Sequence, residues 1–316
     1  MCSSGAAGDG FAHRPACGRE FDPPASGAMC PEHADAETSI TLLLFGPTSQ
    51  VGLEIQRQSG PDAPFLYLAR DRADLTDPEA CADAIRRTRP AVVINAAGYR
   101  DEDERLAHLI NAEAPGQMAQ ACAEIRAPFI QISTAEVFDG SGEHPRRPTE
   151  APGPATLFGR SKLAGEEAIR ASGGVHAIMR TSWVMSPSRG NIVKDVLARA
   201  QSGRRLSFDA TQVAAPTPAY DLASACLIAG ERLLEDKALS GTYHYQGSPH
   251  ASQFDVATEV VAQTGLEREV VAEPASGPVN LRLDCTMTTA ALGLRTPDWR
   301  TGLGFILRDL RALKPG

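Results

Sequence analysis

Two stretches of this sequence carry chemistry in their spacing. The first is Gly46-Pro-Thr-Ser-Gln-Val-Gly52, set between an apolar run and a helical segment. A strand, a glycine turn and a helix start can together hold a pyrophosphate. The helix N-terminus presents free amides and the positive end of a dipole, and glycine lets the backbone come close. Gly46, Ser49, Gln50, Val51 and Gly52 are therefore candidate dinucleotide contacts. A G-x-x-G-x-x-G spacing would place a third glycine at 49, where Ser49 stands; a serine would be strained there if the backbone needed positive φ. The competing reading is a plain structural turn. Small residues in Asn95-Ala96-Ala97-Gly98, after another apolar run, leave room for a cofactor backbone. The second stretch pairs His13-x3-Cys17 with Cys30-x2-His33. Four such ligands in two pairs suit tetrahedral zinc, and a segment without a core needs a staple of that kind. Against this, His-x3-Cys is an uncommon first pair, tails rich in Pro, Gly and Ala usually stay disordered, and Cys2 has no supporting spacing. Both readings stand.

The elements that must position these residues follow from length and pattern. The chain has 316 residues, enough for one large domain or two modest ones, with 42% hydrophobic and 22% charged residues. A net charge of -8 argues against gripping nucleic acid, although a local cluster of amides and arginines can still hold an anionic ligand. No apolar stretch is long enough for a membrane span. The start MCSSGAAGDG has neither a basic opening nor an apolar core, so no secretory signal is expected. Seven cysteines, among them the scattered Cys81, Cys122, Cys226 and Cys285, read as reduced thiols of a cytoplasmic protein.

Residues 1–38 form an extension without apolar periodicity. From residue 39 onward strands and helices alternate: strands at 40–45, 65–68, 91–95, 129–133 and 177–182, and helices at 53–58, 77–88, 106–126 and 158–171. Pro115 inside the third helix predicts a kink or break. Alternation of this kind implies an α/β fold with a doubly wound, Rossmann-type parallel sheet, the dinucleotide-binding core spanning 39–182. Residues 183–316, with helices near 191–202, 222–236 and 253–265, are expected to form a smaller substrate lobe with strands returning to the core. A ligand belongs in the crevice between them, at the carboxyl edge of the sheet.

Several segments, in order over residues 40 to about 313, resemble the dTDP-4-dehydrorhamnose reductase family, a branch of the extended short-chain dehydrogenase/reductases. They are Leu44-Phe-Gly-Pro-Thr-Ser-Gln-Val-Gly52, Arg89-Pro-Ala-Val-Val-Ile-Asn-Ala-Ala97, Ile132-Ser-Thr-Ala-Glu-Val-Phe138, Phe158-Gly-Arg-Ser-Lys-Leu-Ala-Gly-Glu166, Arg180-Thr-Ser-Trp-Val184 and Ala215-Pro216-Thr217. Pro278-Val-Asn-Leu-Arg-Leu-Asp284 and Pro297-Asp-Trp-Arg300 follow, and these two separate this branch from other extended reductases. The resemblance implies NAD(P)H-dependent reduction of a 4-keto group on a nucleotide-linked deoxysugar. It implies that Thr134 hydrogen-bonds the substrate carbonyl, that Lys162 binds the nicotinamide ribose, that Asn111 faces the same site and that Trp183 meets the sugar nucleotide. Asp74 and Leu75 stand where the superfamily places an acidic residue beside the adenine, and Arg282 is a plausible diphosphate contact. Arg70 and Arg72, after the second strand, favour NADP over NAD by their reach to a 2′-phosphate.

The chain departs from that pattern at the acid itself. The family's tyrosine, four residues before the lysine, is replaced by Phe158, which cannot donate a proton. Ala135-Glu136 replaces the reductases' Asp-Tyr; Glu136 matches the base of related dehydratases while Ala135 removes their acid. The stretch between Ala97 and Asn111 is a few residues shorter than the family's, which would remodel the pocket floor. Glu136, Tyr99 and Tyr220 are the other candidate proton donors in the sequence. Three functions follow: a reductase with a changed proton donor; a non-catalytic NAD(P)- or sugar-nucleotide-binding regulatory subunit; or an epimerase or dehydratase using Glu136 as base. A homodimer or a complex with a partner enzyme is the assembly expected.

Overall fold

The computed structural model describes residues 42–60, 63–274 and 279–312. The extension with His13, Cys17, Cys30 and His33, and the first two residues of the expected opening strand, lie outside the described residues.

Five short strands open the fold: β1 (Leu42–Phe45), β2 (Phe65–Leu68), β3 (Val92–Asn95), β4 (Phe129–Thr134) and β5 (His176–Thr181). Four more follow, β6 (Val184–Met185), β7 (Leu206–Asp209), β8 (Val213–Ala214) and β9 (Thr217–Pro218), and then β10 (Gly241–His244). The central sheet runs β10-β5-β4-β3-β1-β2, every pair parallel. All residues of β1 and β3 are buried, as their continuous apolar runs require of a sheet covered on both faces. Strand order reverses between β1 and β3, so the turns after β1, β3, β4 and β5 gather along one edge.

Helices α1 (Gln50–Ser59) and α7 (Ala219–Glu235) cover one face, burying Val51, Ile55, Leu222 and Leu233 against Leu44, Ile94 and Met179. Helices α2 (Pro78–Thr88), α4 (Ala114–Ile125) and α5 (Leu157–Ala171) cover the other, with Ile85, Met118 and Ile169 against Leu43, Val93 and Ile178. Helix α3 (Glu104–His108) precedes α4. A smaller apolar cluster joins α6 (Ile192–Gln201), β7, α8 (Gln253–Thr264) and α10 (Trp299–Ala312), centred on a fully buried Trp299 whose Nε1 donates to the Pro249 carbonyl (2.8 Å). Strand β11 (Ala251–Ser252) pairs with β8, β12 (Val270–Glu273) with β7, and α9 (Thr286–Leu292) lies between β12 and α10 in sequence. Cys81, Cys122, Cys226 and Cys285 are buried free thiols.

The break expected at Pro115 is a π-helical turn over Leu109–Glu113, between α3 and α4. Proline has no N–H, so the ordinary bond from residue 115 to the Asn111 carbonyl cannot form and the ladder shifts register. The Asn111 carbonyl lies instead against Gly165, where a Cβ would collide with it. Helix α1 begins three residues earlier than its apolar pattern suggested, because Ser49 caps it; α7 likewise starts at Ala219, directly after Pro218. Among the described residues no helix is long and apolar enough to cross a membrane.

Candidate active site

A cleft of about 910 Å³ opens at the carboxyl edge of the sheet. Its lining includes Gln50 after β1, Arg100 after β3, Thr134 at the end of β4, Glu136 just beyond it, Phe158 at the start of α5, and Trp183 after β5. The glycine turn, Thr134, Glu136, Phe158 and Trp183 are thus brought to one edge, as parallel strands dictate.

Gly46 sits at φ 73°, and a Cβ there would run into the backbone of Ala97, so the turn and the small residues after β3 require each other. Gly52 packs as tightly on the Gly46 carbonyl. Ser49 has φ −72°, an unstrained value, and its Oγ accepts from the Gly52 amide (3.0 Å). Serine at this position therefore acts as a helix cap, and no backbone strain follows from the missing glycine. Among the described residues the amides of Gln50 and Val51 have no hydrogen-bond partner, leaving two donors at the positive end of α1. The turn is also strapped from the second half of the chain. Gln50 Oε1 accepts from Ser186 Oγ (2.7 Å) and Asn191 Nδ2 (3.0 Å), and Arg189 Nε donates to the Thr48 carbonyl (2.7 Å). Asn95 is buried, its Nδ2 donating to Gln131 (3.0 Å) and its Oδ1 accepting from the Ala97 amide (3.0 Å), which fixes the Ala96–Ala97 turn. Asp74 Oδ1 accepts from the Thr76 amide (2.9 Å), its carboxylate lies 3.9 Å from Arg70, and the Leu75 side chain is part of the core.

Thr134 Oγ1 accepts from the Glu136 amide (3.2 Å), and its own O–H remains to donate into the cleft. Glu136 is ion-paired with Arg100 and accepts from Thr156 Oγ1 (3.0 Å). The Arg100 guanidinium lies over the Phe158 ring, 4.6 Å from its centroid. Among the described residues lining the cleft there is no tyrosine, histidine, cysteine or lysine. Tyr220 lines a second cavity beneath Arg57, and the backbone of Tyr99 is pinned by Asn111, so neither phenol lines the cleft.

Lys162 follows Phe158 by one helical turn and is buried; its Nζ donates to the Ile132 carbonyl (2.7 Å). Burial pushes its ammonium down to about 8, against an upward pull from Glu166. Asn111 is buried beside α5, bound to both polar backbone atoms of Tyr99 and to Ser161 Oγ (3.0 Å), a scaffold for that helix rather than part of the cleft wall. Trp183 has φ 38°, a left-handed conformation unusual for so large a residue, and lines the cleft. Arg282 is turned onto Asn280 Oδ1 (2.8 Å) and is not among the lining residues. Beneath the floor Glu166 accepts from Ser133 (2.6 Å) and from Arg180 (2.9 and 2.6 Å). Burial works to raise this carboxyl, but Arg180, Ser133 and Arg170 outweigh it and hold it below the ordinary range. The network fixes the residue that precedes Thr134.

Sequence reasoning missed Arg100 and Thr156. Arg100 stands at the head of an acidic run without periodicity, and nothing in its neighbourhood marked it. The close seating of α5 on the Glu136 turn explains Gly159: a Cβ there would meet the Glu136 carbonyl oxygen. Gly159→Ala is expected to destabilise the protein by about 1–3 kcal/mol in urea unfolding, because the group it strikes is backbone. An unchanged midpoint would show that the two segments do not press on each other.

The match to a family model, described as the RmlD substrate binding domain, covers residues 40–312. The dTDP-4-dehydrorhamnose reductase of Sinorhizobium fredii is 32% identical over 278 residues, 82% of this chain and 94% of that protein. The enzyme of the same name from Escherichia coli K12 is 31% identical, covering 86% of this chain and 98% of its own. The crystal structure of a dTDP-4-dehydrorhamnose reductase from Clostridium acetobutylicum superposes with a TM-score of 0.79 at 28% identity, over 86% of this chain and 99% of the other. A Bacillus anthracis structure in complex with NADP shares the fold, with a TM-score of 0.78 at 24% identity over 90% of this chain and all of its own.

Proposed function

This chain belongs to the dTDP-4-dehydrorhamnose reductase family, and from that premise we propose that its cleft binds NADPH and a dTDP-linked 4-keto-deoxysugar and reduces the ketone without a phenolic acid at position 158. Bound there, the cofactor supplies a hydride to the ketone carbon. The amides of Gln50 and Val51 and the dipole of α1 hold the pyrophosphate. Gly46, Gly52 and the Ala96–Ala97 turn let it approach. Asp74 and Leu75 flank the adenosine end, where Arg70 and Arg72 address a 2′-phosphate. Lys162 keeps two N–H groups free of the Ile132 carbonyl for ribose hydroxyls. Thr134 donates its O–H to the ketone oxygen, and Trp183 packs on the sugar. Arg282, held by Asn280 through Nε and lying off the cleft lining, reaches the diphosphate only by a change of its side-chain conformation.

The observation that carries this reading is the placement of two unpartnered amides at α1 and a free threonine O–H on one sheet edge. Calorimetric titration with NADPH and NADH, followed by turnover of a dTDP-4-keto-6-deoxysugar, tests it. NADPH is expected to bind more tightly than NADH, and slow NADPH oxidation should follow keto-sugar addition. Failure to bind either dinucleotide would remove the reading altogether. Tight binding without turnover would instead favour a regulatory subunit, a role consistent with the absence of a tyrosine, histidine, cysteine or lysine among the described lining residues.

A further inference from the structure

We infer that Arg100 stabilises the alkoxide formed at the ketone oxygen, in the place a phenol at 158 would have served; the inference rests on the reductase reading above. Arg100, Phe158, Thr134 and Glu136 line the same cleft and are linked through Glu136. Glu136 pairs with the guanidinium, accepts from Thr156, and donates its amide to the Thr134 hydroxyl that is proposed to bind the ketone. The guanidinium is held over the Phe158 ring at 4.6 Å, a geometry favoured by the negative face of the π system. Pairing with Glu136 uses one of its five N–H groups, leaving others for an oxyanion. The other cation on the lining, Arg199, is bound to Asp195, the Ser207 carbonyl and the Phe208 ring.

As the new C–H bond forms at the ketone carbon, the C=O π pair moves onto oxygen. The resulting alkoxide accepts hydrogen bonds from Thr134 and Arg100. Arginine keeps its protons at any working pH, so the O–H bond forms with a proton from a water molecule, which departs as hydroxide into the buffer. Glu136 acts as a positioning residue that aims the guanidinium.

The test is a cycle of four proteins, wild type, Arg100→Ala, Phe158→Tyr and the double variant, each first shown to bind NADPH by calorimetry. In the wild-type background Arg100→Ala should lower kcat by about 10²–10³, the loss typical of one oxyanion donor; added guanidinium should restore part of it. In the Phe158→Tyr background the same change should have little effect, because the phenol then serves the oxygen. Calorimetry adds a reading independent of rate: Arg100→Ala should weaken binding of the keto-sugar nucleotide more than binding of dTDP. An equal loss in both backgrounds, or no loss in the first, overturns the inference while the reductase reading survives. Absence of turnover in all four overturns both.

Discussion

Phe158→Tyr is expected to raise kcat for keto-sugar reduction by about 10², within the range that a positioned general acid contributes. The ring already lines the same cleft as Thr134, and the hydroxyl would be added at the ring edge, clear of the face that Arg100 covers. Lys162, one turn along α5, would be the cation to tune such a phenol, and with its ammonium pushed down to about 8 it is still largely charged at neutral pH. The rise falls short of the upper limit because Arg100 already serves the oxygen in the native protein. Following NADPH absorbance at saturating substrate measures it directly. Equal rates for two proteins that bind NADPH alike would mean that proton supply does not limit the reaction.

Lys162→Met is expected to abolish turnover and yet stabilise the fold at neutral pH. Below pH 8 the lysine is charged in both folded and unfolded chains, and the folded state carries the full desolvation penalty. Between pH 8 and 10.5 the folded protein has released the proton and the unfolded chain still holds it, so stability of the native protein rises with pH across that window. A shift of this size corresponds to about 3 kcal/mol. Losing the bond to the Ile132 carbonyl offsets about 1 kcal/mol of it. The variant should therefore exceed the native protein by about 2 kcal/mol at pH 7, and the gap should close toward pH 10.5. Urea unfolding at both pH values decides it; a variant less stable at pH 7, or a gap independent of pH, would mean that Lys162 is not held at an energetic cost. Positions that trade stability for activity in this way are characteristic of working sites.

The central sheet was legible because each strand is a short apolar run closed by a turn, and parallel strands buried on both faces leave that mark. Thr134, Phe158 and Trp183 were legible because each sits in a local block of residues whose order is distinctive. The π-turn before Pro115 was half legible: proline announced a break, but its form depends on Gly165 some fifty residues further on. Helix α10 carries buried residues at Trp299, Gly302, Leu303, Ile306 and Leu307, a regular helical spacing that the Pro297-Asp-Trp-Arg300 block overshadows. Arg100 was not legible at all. Its role depends on a cation finding the face of Phe158 and the carboxylate of Glu136, both distant in sequence, and an arginine among Asp101, Glu102 and Asp103 looks like part of a solvated surface.

Strand β10 and helix α7 come late in the chain yet complete its earliest part. During synthesis the outer edge of β5 therefore stays unpaired, and the face carrying Leu44, Ile94 and Met179 is covered by α1 alone, until residues 219–244 have left the ribosome. A product terminated before that point presents an open parallel edge and a half-covered apolar face together, the two features that drive aggregation. Nonsense alleles in the middle of the coding sequence should accordingly yield insoluble material for proteolytic clearance, with no partly active dinucleotide-binding fragment.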